Sequence, residues 1–307
     1  MNYLVLGGSG FIGRHLIESL LTKGKVRVFD KKGNFLEDDF PQIEVVCGDF
    51  SDANFKELLS NIDVVYHLIS TTVPVEGTQY SISELTDNVI PTLKLLNEMV
   101  EQKIKRIIFI SSAGTVYGDI NDDAKEDYQL NPICSYGVQK VSIENYLRIY
   151  KQYHNISPIV VRLSNPYGTG QDINKKQGVI PIFLNKILTG QTLELWGDGT
   201  VVRDYLHIDD AVEALQKLEA YSGDYDTFNV ASGESLDLLE IIRIIERESG
   251  VKANIKFLPS RKCDVKKNAI DVTRIFKECG WKARIDITTG IRILVKSHIQ
   301  AKFDEKL

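Results

Sequence analysis

Tyr136 and Lys140 stand four residues apart in Ser135-Tyr136-Gly137-Val138-Gln139-Lys140, at the head of the run Val141, Ile143, Tyr146, Leu147, Ile149 and Tyr150. Apolar residues at that spacing predict a helix. Residues four apart share a helix face, so the ammonium can sit near the phenol. A nearby cation favours the phenolate and lowers a pKa that starts near ~10. Tyr136 is then expected to serve as a base near neutral pH. Tyr-x-x-x-Lys also arises by chance on many helices, so its weight depends on what the rest of the chain supplies.

A second constellation lies at the start of the chain. Gly7, Gly10 and Gly13, with Phe11 and Ile12 between the last two, follow the apolar stretch Asn2–Leu6 and open a helical run that ends at Gly24. Strand, spaced glycines and helix make a phosphate-cradling turn. The glycines allow close backbone approach, and the helix N-terminus offers free N–H groups to a pyrophosphate. The next apolar stretch, Val26 to Phe29, ends at Asp30, whose carboxylate can accept both hydroxyls of an adenosine ribose and would repel a 2′-phosphate. NAD is therefore preferred over NADP, although Lys31 and Lys32 blur the preference.

These residues need a scaffold, and the pattern provides one. Strands are predicted at 2–6, 26–29, 44–47, 64–68, 106–110 and 158–163, with helices between them, including one at 52–59 and a long amphipathic one at 81–103 that contains Pro91. Strands and helices alternating at this rhythm predict an α/β fold, a doubly wound parallel sheet. Ligands on such sheets gather at the carboxyl ends of the strands. Asp30, Asp49, Ser70, Thr115 and Asn165 all fall just past predicted strand ends and are expected to converge there with Tyr136. After residue 165 the rhythm breaks into longer loops and shorter helices. The expected division is a dinucleotide-binding domain over 1–165, with returning segments near 204–232, and a smaller, partly interleaved region over 166–307. Asp209 and Asp210 are expected to open a helix, where carboxylates suit the dipole.

Composition excludes several classes. Among 307 residues, 26% are charged and the net charge is −5, whereas a general nucleic-acid binder is usually basic. No apolar run reaches the ~18 residues of a membrane-spanning helix, and Met1-Asn2-Tyr3 enters the first strand directly, so no signal peptide is expected. Cys47, Cys134, Cys263 and Cys279 are widely spaced, with no metal-like pairing. No metal site is expected, and the cysteines suit a reducing cytoplasm.

With these residues assembled, the chain resembles the extended short-chain dehydrogenase/reductases, in particular the NAD-dependent nucleotide-sugar epimerase/dehydratase group, from Gly7 to about Gly290. That resemblance implies a Rossmann-type sheet with a smaller substrate-binding region, and it implies NAD as cofactor. Asp49-Phe50 looks like the group's adenine contact; Leu68, Ser70 and Asn88 would also lie along the cofactor. Tyr136 and Lys140 look like its catalytic pair. Arg203-Asp204-Tyr205, with His207 and Asp209-Asp210, resembles its second signature. Arg261-Lys262-Cys263-Asp264 resembles an Arg-x-x-Asp element that holds the diphosphate and nucleoside ribose, with Asn165 and Arg203 beside it.

Set against UDP-galactose 4-epimerases, the chain departs at Ala113, where a Ser or Thr commonly bridges the sugar and the tyrosine. Thr115 is the nearest alternative hydroxyl and Ser112 the next. Nucleotide-sugar 4,6-dehydratases carry Asp-Glu at the positions of Gly114 and Thr115, and a decarboxylase usually has Glu at the latter, so both lose ground. The implied activity is 4-epimerisation of a UDP-hexose or UDP-N-acetylhexosamine through a transient 4-keto intermediate. The alternatives are a nucleotide-sugar 4-ketoreductase and a non-catalytic dinucleotide-sensing protein on the same fold. Counting on from Asp264 puts Asn268 at a gate, where a residue smaller than Tyr would admit acetamido sugars. The resemblance also implies a homodimer through the helices that carry Tyr136 and Leu95.

Overall fold

The computed structural model describes residues 1–32, 36–72, 81–120, 122–171, 178–259 and 267–304. Its centre is a sheet of seven parallel strands. In chain order these are β1 (Asn2–Leu6), β2 (Lys25–Asp30), β3 (Glu44–Cys47), β4 (Val64–His67), β5 (Arg106–Ser112), β6 (Ser157–Leu163) and β10 (Thr227–Val230). Their spatial order is β10-β6-β5-β4-β1-β2-β3. The first six strands follow the 3-2-1-4-5-6 order of dinucleotide-binding sheets.

Why the sheet is covered on both faces can be read from one strand. Tyr3 and Val5 of β1 point to one side, Leu4 and Leu6 to the other, and all four are at most 1% exposed. Tyr3 and Val5 pack in a core with Leu16, Ile17 and Leu20 of the first helix (Phe11–Leu20) and with Ala211, Ala214 and Leu215 of the helix Ile208–Glu219. Leu4 and Leu6 pack with Leu95 and Leu96 and with Ile143 and Leu147 of the helix Ser135–His154. Continuous apolar strands are what a sheet buried on both faces requires.

Beyond β6 the chain builds two small sheets. β7 (Asn165–Tyr167) pairs parallel with β9 (Val202–His207), and β11 (Ser235–Asp237) pairs antiparallel with β9. β8 (Thr192–Trp196) pairs parallel with β12 (Asn254–Leu258). A third core of Tyr167, Ile180, Leu184, Leu195, Ile241, Ile245 and Ile291 holds this part together. Between its segments, residues 208–230 return to the large sheet and supply a covering helix and strand β10.

Two elements differ from the sequence pattern. Over 52–59 the chain forms a 3-10 turn (Phe50–Asp52) and a short helix (Phe55–Leu58) instead of one helix. The long helix is α-helical over Ser81–Glu84 and Ile90–Glu101 but widens to a π-turn over Leu85–Val89. The cause is Pro91. A proline inside a helix lacks the N–H and crowds the carbonyl four residues back, and a π-turn relieves both.

Candidate active site

All strands of the large sheet are parallel, so the residues after β1, β2, β4, β5 and β6 emerge on one edge. That edge begins with the glycine turn. Gly7 has φ +90°, a conformation that favours glycine, and its N–H donates to the Phe29 carbonyl at 2.9 Å. A Cβ on Gly13 would lie 2.5 Å from the Gly7 oxygen and 2.6 Å from the Gly8 Cα, so the helix can press against the turn only because residue 13 has no side chain. Gly10 begins the helix, and no side chain caps it. The first-turn N–H groups thus face outward at the positive end of the helix dipole.

Asp30 closes the turn from β2. Its Oδ2 accepts the Ser9 N–H at 3.0 Å, and its Oδ1 accepts that of Lys32 at 3.5 Å. Lys31 is drawn aside into an ion pair with Asp49, Nζ to Oδ1 2.7 Å. Phe11, Ile12 and Leu68 are half-buried along the same edge. A turn with no room for a Cβ, an uncapped helix start and a carboxylate at the next strand end together fit a dinucleotide. Phe50 follows Asp49 in a 3-10 turn. Its ring is 5% exposed and packs edge-on against Phe55 and His67, because the 3-10 turn rotates it into the core. Asn88, 2% exposed, acts on the loop after β4: its Oδ1 accepts the Thr71 N–H at 2.9 Å and its Nδ2 donates to the Thr71 hydroxyl at 2.8 Å.

Tyr136 and Lys140 share one helix face, with the ammonium 5.6 Å from the centroid of the phenol ring. The buried Lys140 Nζ donates to the Ile110 carbonyl of β5 at 2.8 Å. The direction of the phenol's shift overturns the sequence expectation. Burial pushes Tyr136 up to about 12; a hydrogen bond from Ser70 opposes this, and the charges of Cys134 and Glu84 add to the rise. Burial is the largest cause of the rise. Burial also pushes Lys140 down to about 8, with the carboxylate of Glu144 opposing. His67, at the end of β4, is driven down to about 3 by burial and by Lys140.

Ala113 is fully buried and opens the short helix Ala113–Val116 directly after β5. Ser112 precedes it, half-buried and without a side-chain capping bond. The Thr115 hydroxyl is buried with no hydrogen-bond partner. Glu84 Oε2 and Gln139 Oε1 are in the same condition, while Gln139 Nε2 donates to Thr72 at 3.0 Å. A buried polar atom without a partner is costly, so these atoms mark where a polar ligand would be accepted.

On the substrate side, Asn165 donates its amide to the Asp204 carbonyl at 2.8 Å, which ties β7 to β9 and leaves its oxygen and its second N–H for a ligand. Arg203 donates to the Val202 carbonyl at 2.8 Å and is half-buried. Asn268 does not stand at an open gate: it is 0% exposed, its Nδ2 donates to the Ala113 carbonyl at 2.9 Å, and its Oδ1 has no partner. The strap that carries it is bonded to β9 through the Asn268 N–H and the Val202 carbonyl, which draws the side chain inward. Arg261 and Asp264 lie outside the described residues. The helix expected at Asp209 and Asp210 forms, but Asp210 does more than open it. Its Oδ2 accepts the backbone N–H groups of Arg284 and Ile285.

Sequence reading missed His67, Glu84 and the buried pair Glu144–Arg162. Arg162 was visible as a lone cation inside an apolar strand, and Glu144 as a carboxylate four residues beyond Lys140.

Sheet order, glycine turn and Asp30 together define a dinucleotide-binding α/β enzyme scaffold with a Tyr–Lys pair at the strand ends. Comparison with known proteins narrows this. The chain belongs to the NAD dependent epimerase/dehydratase family, whose model matches residues 3–231, and NAD is its cofactor. It is 36% identical over 306 residues to a dTDP-4-dehydro-6-deoxyglucose reductase of Escherichia coli, with 96% of each chain covered. It is 30% identical over 297 residues to a putative UDP-glucose 4-epimerase of Methanocaldococcus jannaschii, with 95% and 96% covered. Among solved structures it superposes on a UDP-glucose 4-epimerase of Thermotoga maritima, solved with UDP-glucose, at a TM-score of 0.92 and 28% identity, over 98% of this chain and 100% of that one. Among the described residues no helix is long and apolar enough to cross a membrane, and no group of side chains could hold a metal ion.

Proposed function

We propose that this chain is a nucleotide-sugar 4-ketoreductase acting on a pyrimidine-nucleotide 4-keto hexose. The observation that carries this reading is the likeness over 96% of each chain, at 36% identity, to the reductase of E. coli; Tyr136, beside the Lys140 ammonium, would be the group that delivers the proton. Reduction of a ketone at C4 needs a proton delivered to O4, and a neutral phenol supplies it directly. NAD held on the glycine turn and Asp30 would, in its reduced form, supply the hydride. Lys140, anchored on Ile110, would hold its charge beside the phenol and steady the phenolate left behind. Arg203 and Arg261, with Asp264 and the amide of Asn165, would hold the diphosphate and nucleoside, since arginine suits bidentate phosphate contacts. The likeness to the E. coli reductase supports the same net reaction.

A second reading is 4-epimerisation of a UDP-hexose or UDP-N-acetylhexosamine. It is favoured by Thr115, whose partnerless hydroxyl could bridge sugar and tyrosine in place of Ala113, and by the likeness to the T. maritima epimerase. In that reaction Tyr136 would act first as base and then as acid.

One assay separates the two. The purified chain is offered NADH with dTDP-4-keto-6-deoxyglucose, and UDP-glucose or UDP-N-acetylglucosamine without added cofactor. Stoichiometric NADH consumption in the first mixture alone is the expected result. Formation of the 4-epimer in the second, with none of the first, overturns it in favour of epimerisation. We also infer a homodimer in the cytoplasm. The helix Ser135–His154 exposes Val138, Tyr146, Ile149 and Tyr153 next to exposed Leu85 and Ile90, an apolar face suited to a second copy. Tyr146→Glu should then give a monomer in sedimentation; an unchanged mass contradicts the interface.

A further inference from the structure

Lys140 is 4% exposed, and such burial favours the neutral amine. Its one hydrogen bond among the described residues goes to a neutral carbonyl, that of Ile110. The groups around it are few. His67 comes from β4, the Phe109 ring from β5, 4.9 Å from the ammonium, and Tyr136 from the same helix. The carboxylate one turn further along the same face is Glu144, 8% exposed.

Glu144 is held from two sides. Arg162 donates to it from Nη2 at 2.7 Å and from Nε at 3.2 and 3.3 Å, and the Ser111 hydroxyl donates to its Oε1. Arg162 is fixed in turn by the Tyr117 hydroxyl and the Glu126 carbonyl, both at 2.9 Å from Nη1. Tyr117 passes its own proton to Asn229 Oδ1 at 2.6 Å. Ser111 adjoins Ile110, whose carbonyl holds Lys140. The carboxylate therefore supports Lys140 twice, through charge along the helix and through the strand that carries the ammonium's anchor.

We propose that Glu144 is a positioning residue of the candidate active site, which keeps the buried Lys140 charged and fixed on Ile110 beside Tyr136. Arg162 holds that carboxylate in place. The inference rests on the reading that Tyr136 and Lys140 do the chemistry, but its test does not. The sign is unambiguous: removing a negative charge makes the ammonium less favourable, so Lys140 loses its proton at a lower pH. Glu144's opposition to the fall of Lys140 towards about 8 agrees with this.

The test is an NMR titration of the chain labelled with 15Nζ-lysine, with Lys140→Met to assign the signal. Glu144→Gln should move the Lys140 midpoint down by about one pH unit or more, within the range for loss of a nearby opposite charge. Glu144→Asp keeps the charge and should restore most of the shift. Ser111→Ala keeps the carboxylate and should leave the midpoint within a few tenths of a unit. If Glu144→Gln alone does not fold, it is made in an Arg162→Met background, and the downward shift is read against Arg162→Met alone so that the lost guanidinium cancels. A folded Glu144→Gln chain, or that double variant, with an unmoved Lys140 midpoint overturns the proposal. So does a Glu144→Asp midpoint no higher than that of Glu144→Gln. A parallel loss of activity at every pH with no movement of this signal would assign Glu144 to the fold alone.

Discussion

The cofactor edge and the catalytic face are built by opposite means. Around the glycine turn the backbone satisfies itself. Gly7 bonds to Phe29, Gly10 to Gly7, and Asp30 takes the Ser9 amide, leaving none of these side chains buried and partnerless. Beyond the strand ends of β4 and β5 the reverse holds. Thr115 Oγ1, Glu84 Oε2, Gln139 Oε1 and Asn268 Oδ1 are buried without partners. The turn keeps only the outward N–H groups of its uncapped helix for a ligand, whereas the candidate catalytic face keeps buried side-chain polar atoms for one to complete. Side chains on the turn should therefore govern which dinucleotide binds, and those on the catalytic face should govern rate.

The largest effect expected from breaking this division is Tyr136→Phe. The ring keeps its packing but no proton can reach O4, so turnover should fall by about three orders of magnitude, within the range of a general acid. NAD affinity, read by calorimetry, should stay within a few-fold. A variant that keeps a tenth of its rate would remove Tyr136 from the mechanism.

Thr115→Val sharpens the contrast, because it deletes a hydroxyl that has no partner in the protein. Turnover should fall by roughly one to two orders of magnitude if that hydroxyl meets the sugar. The melting temperature should hold or rise, since a buried unsatisfied group is lost. A drop in stability with unchanged turnover would make Thr115 a packing residue.

His67 links the two regions through pH. Its folded pKa of about 3 lies below the unfolded value near ~6.5. The neutral ring thus contributes stability that is complete above the unfolded pKa and is lost as pH falls from there towards the folded one. Going from pH 7 to pH 5 should cost about 2 kcal/mol from this group alone. In urea titrations the pH dependence should flatten by about that amount in His67→Leu. Equal slopes in the two proteins would show that His67 does not titrate between the folded and unfolded states.

The smallest effect is on the cofactor side. Asp30→Ala should lower the preference for NAD over NADP about tenfold in binding, because only the 2′,3′-diol needs this acceptor. The change is kept small by Lys31, which is held by Asp49 and is not released by the substitution. Equal loss of both dinucleotides would make Asp30 purely a support for Ser9.

What the sequence made legible follows the same division. Glycine spacing, apolar strands and a carboxylate at a strand end are local signals, so the turn, the strand rhythm and the Tyr–Lys pair could be read directly. The misreadings concern residues whose state is set by packing between distant segments. Asn268 is sealed against Ala113, 155 positions away in the chain. The direction of the Tyr136 shift depends on how much protein closes over the phenol, and the spacing to Lys140 carries no information about that. Glu144 and Arg162 were each visible, but their pairing requires β6 to lie beside β5, a fact of topology.

The central claim, proton delivery from Tyr136 to O4 as hydride reaches C4, is most directly tested by isotope transfer. The chain is incubated with NADH deuterated at C4 of the nicotinamide, on each face in turn, and dTDP-4-keto-6-deoxyglucose, and the sugar product is read by NMR. Deuterium at sugar C4 from one face only, abolished in Tyr136→Phe, is the expected result. Product free of deuterium at C4 from both cofactors, or label transfer undiminished in Tyr136→Phe, would contradict it.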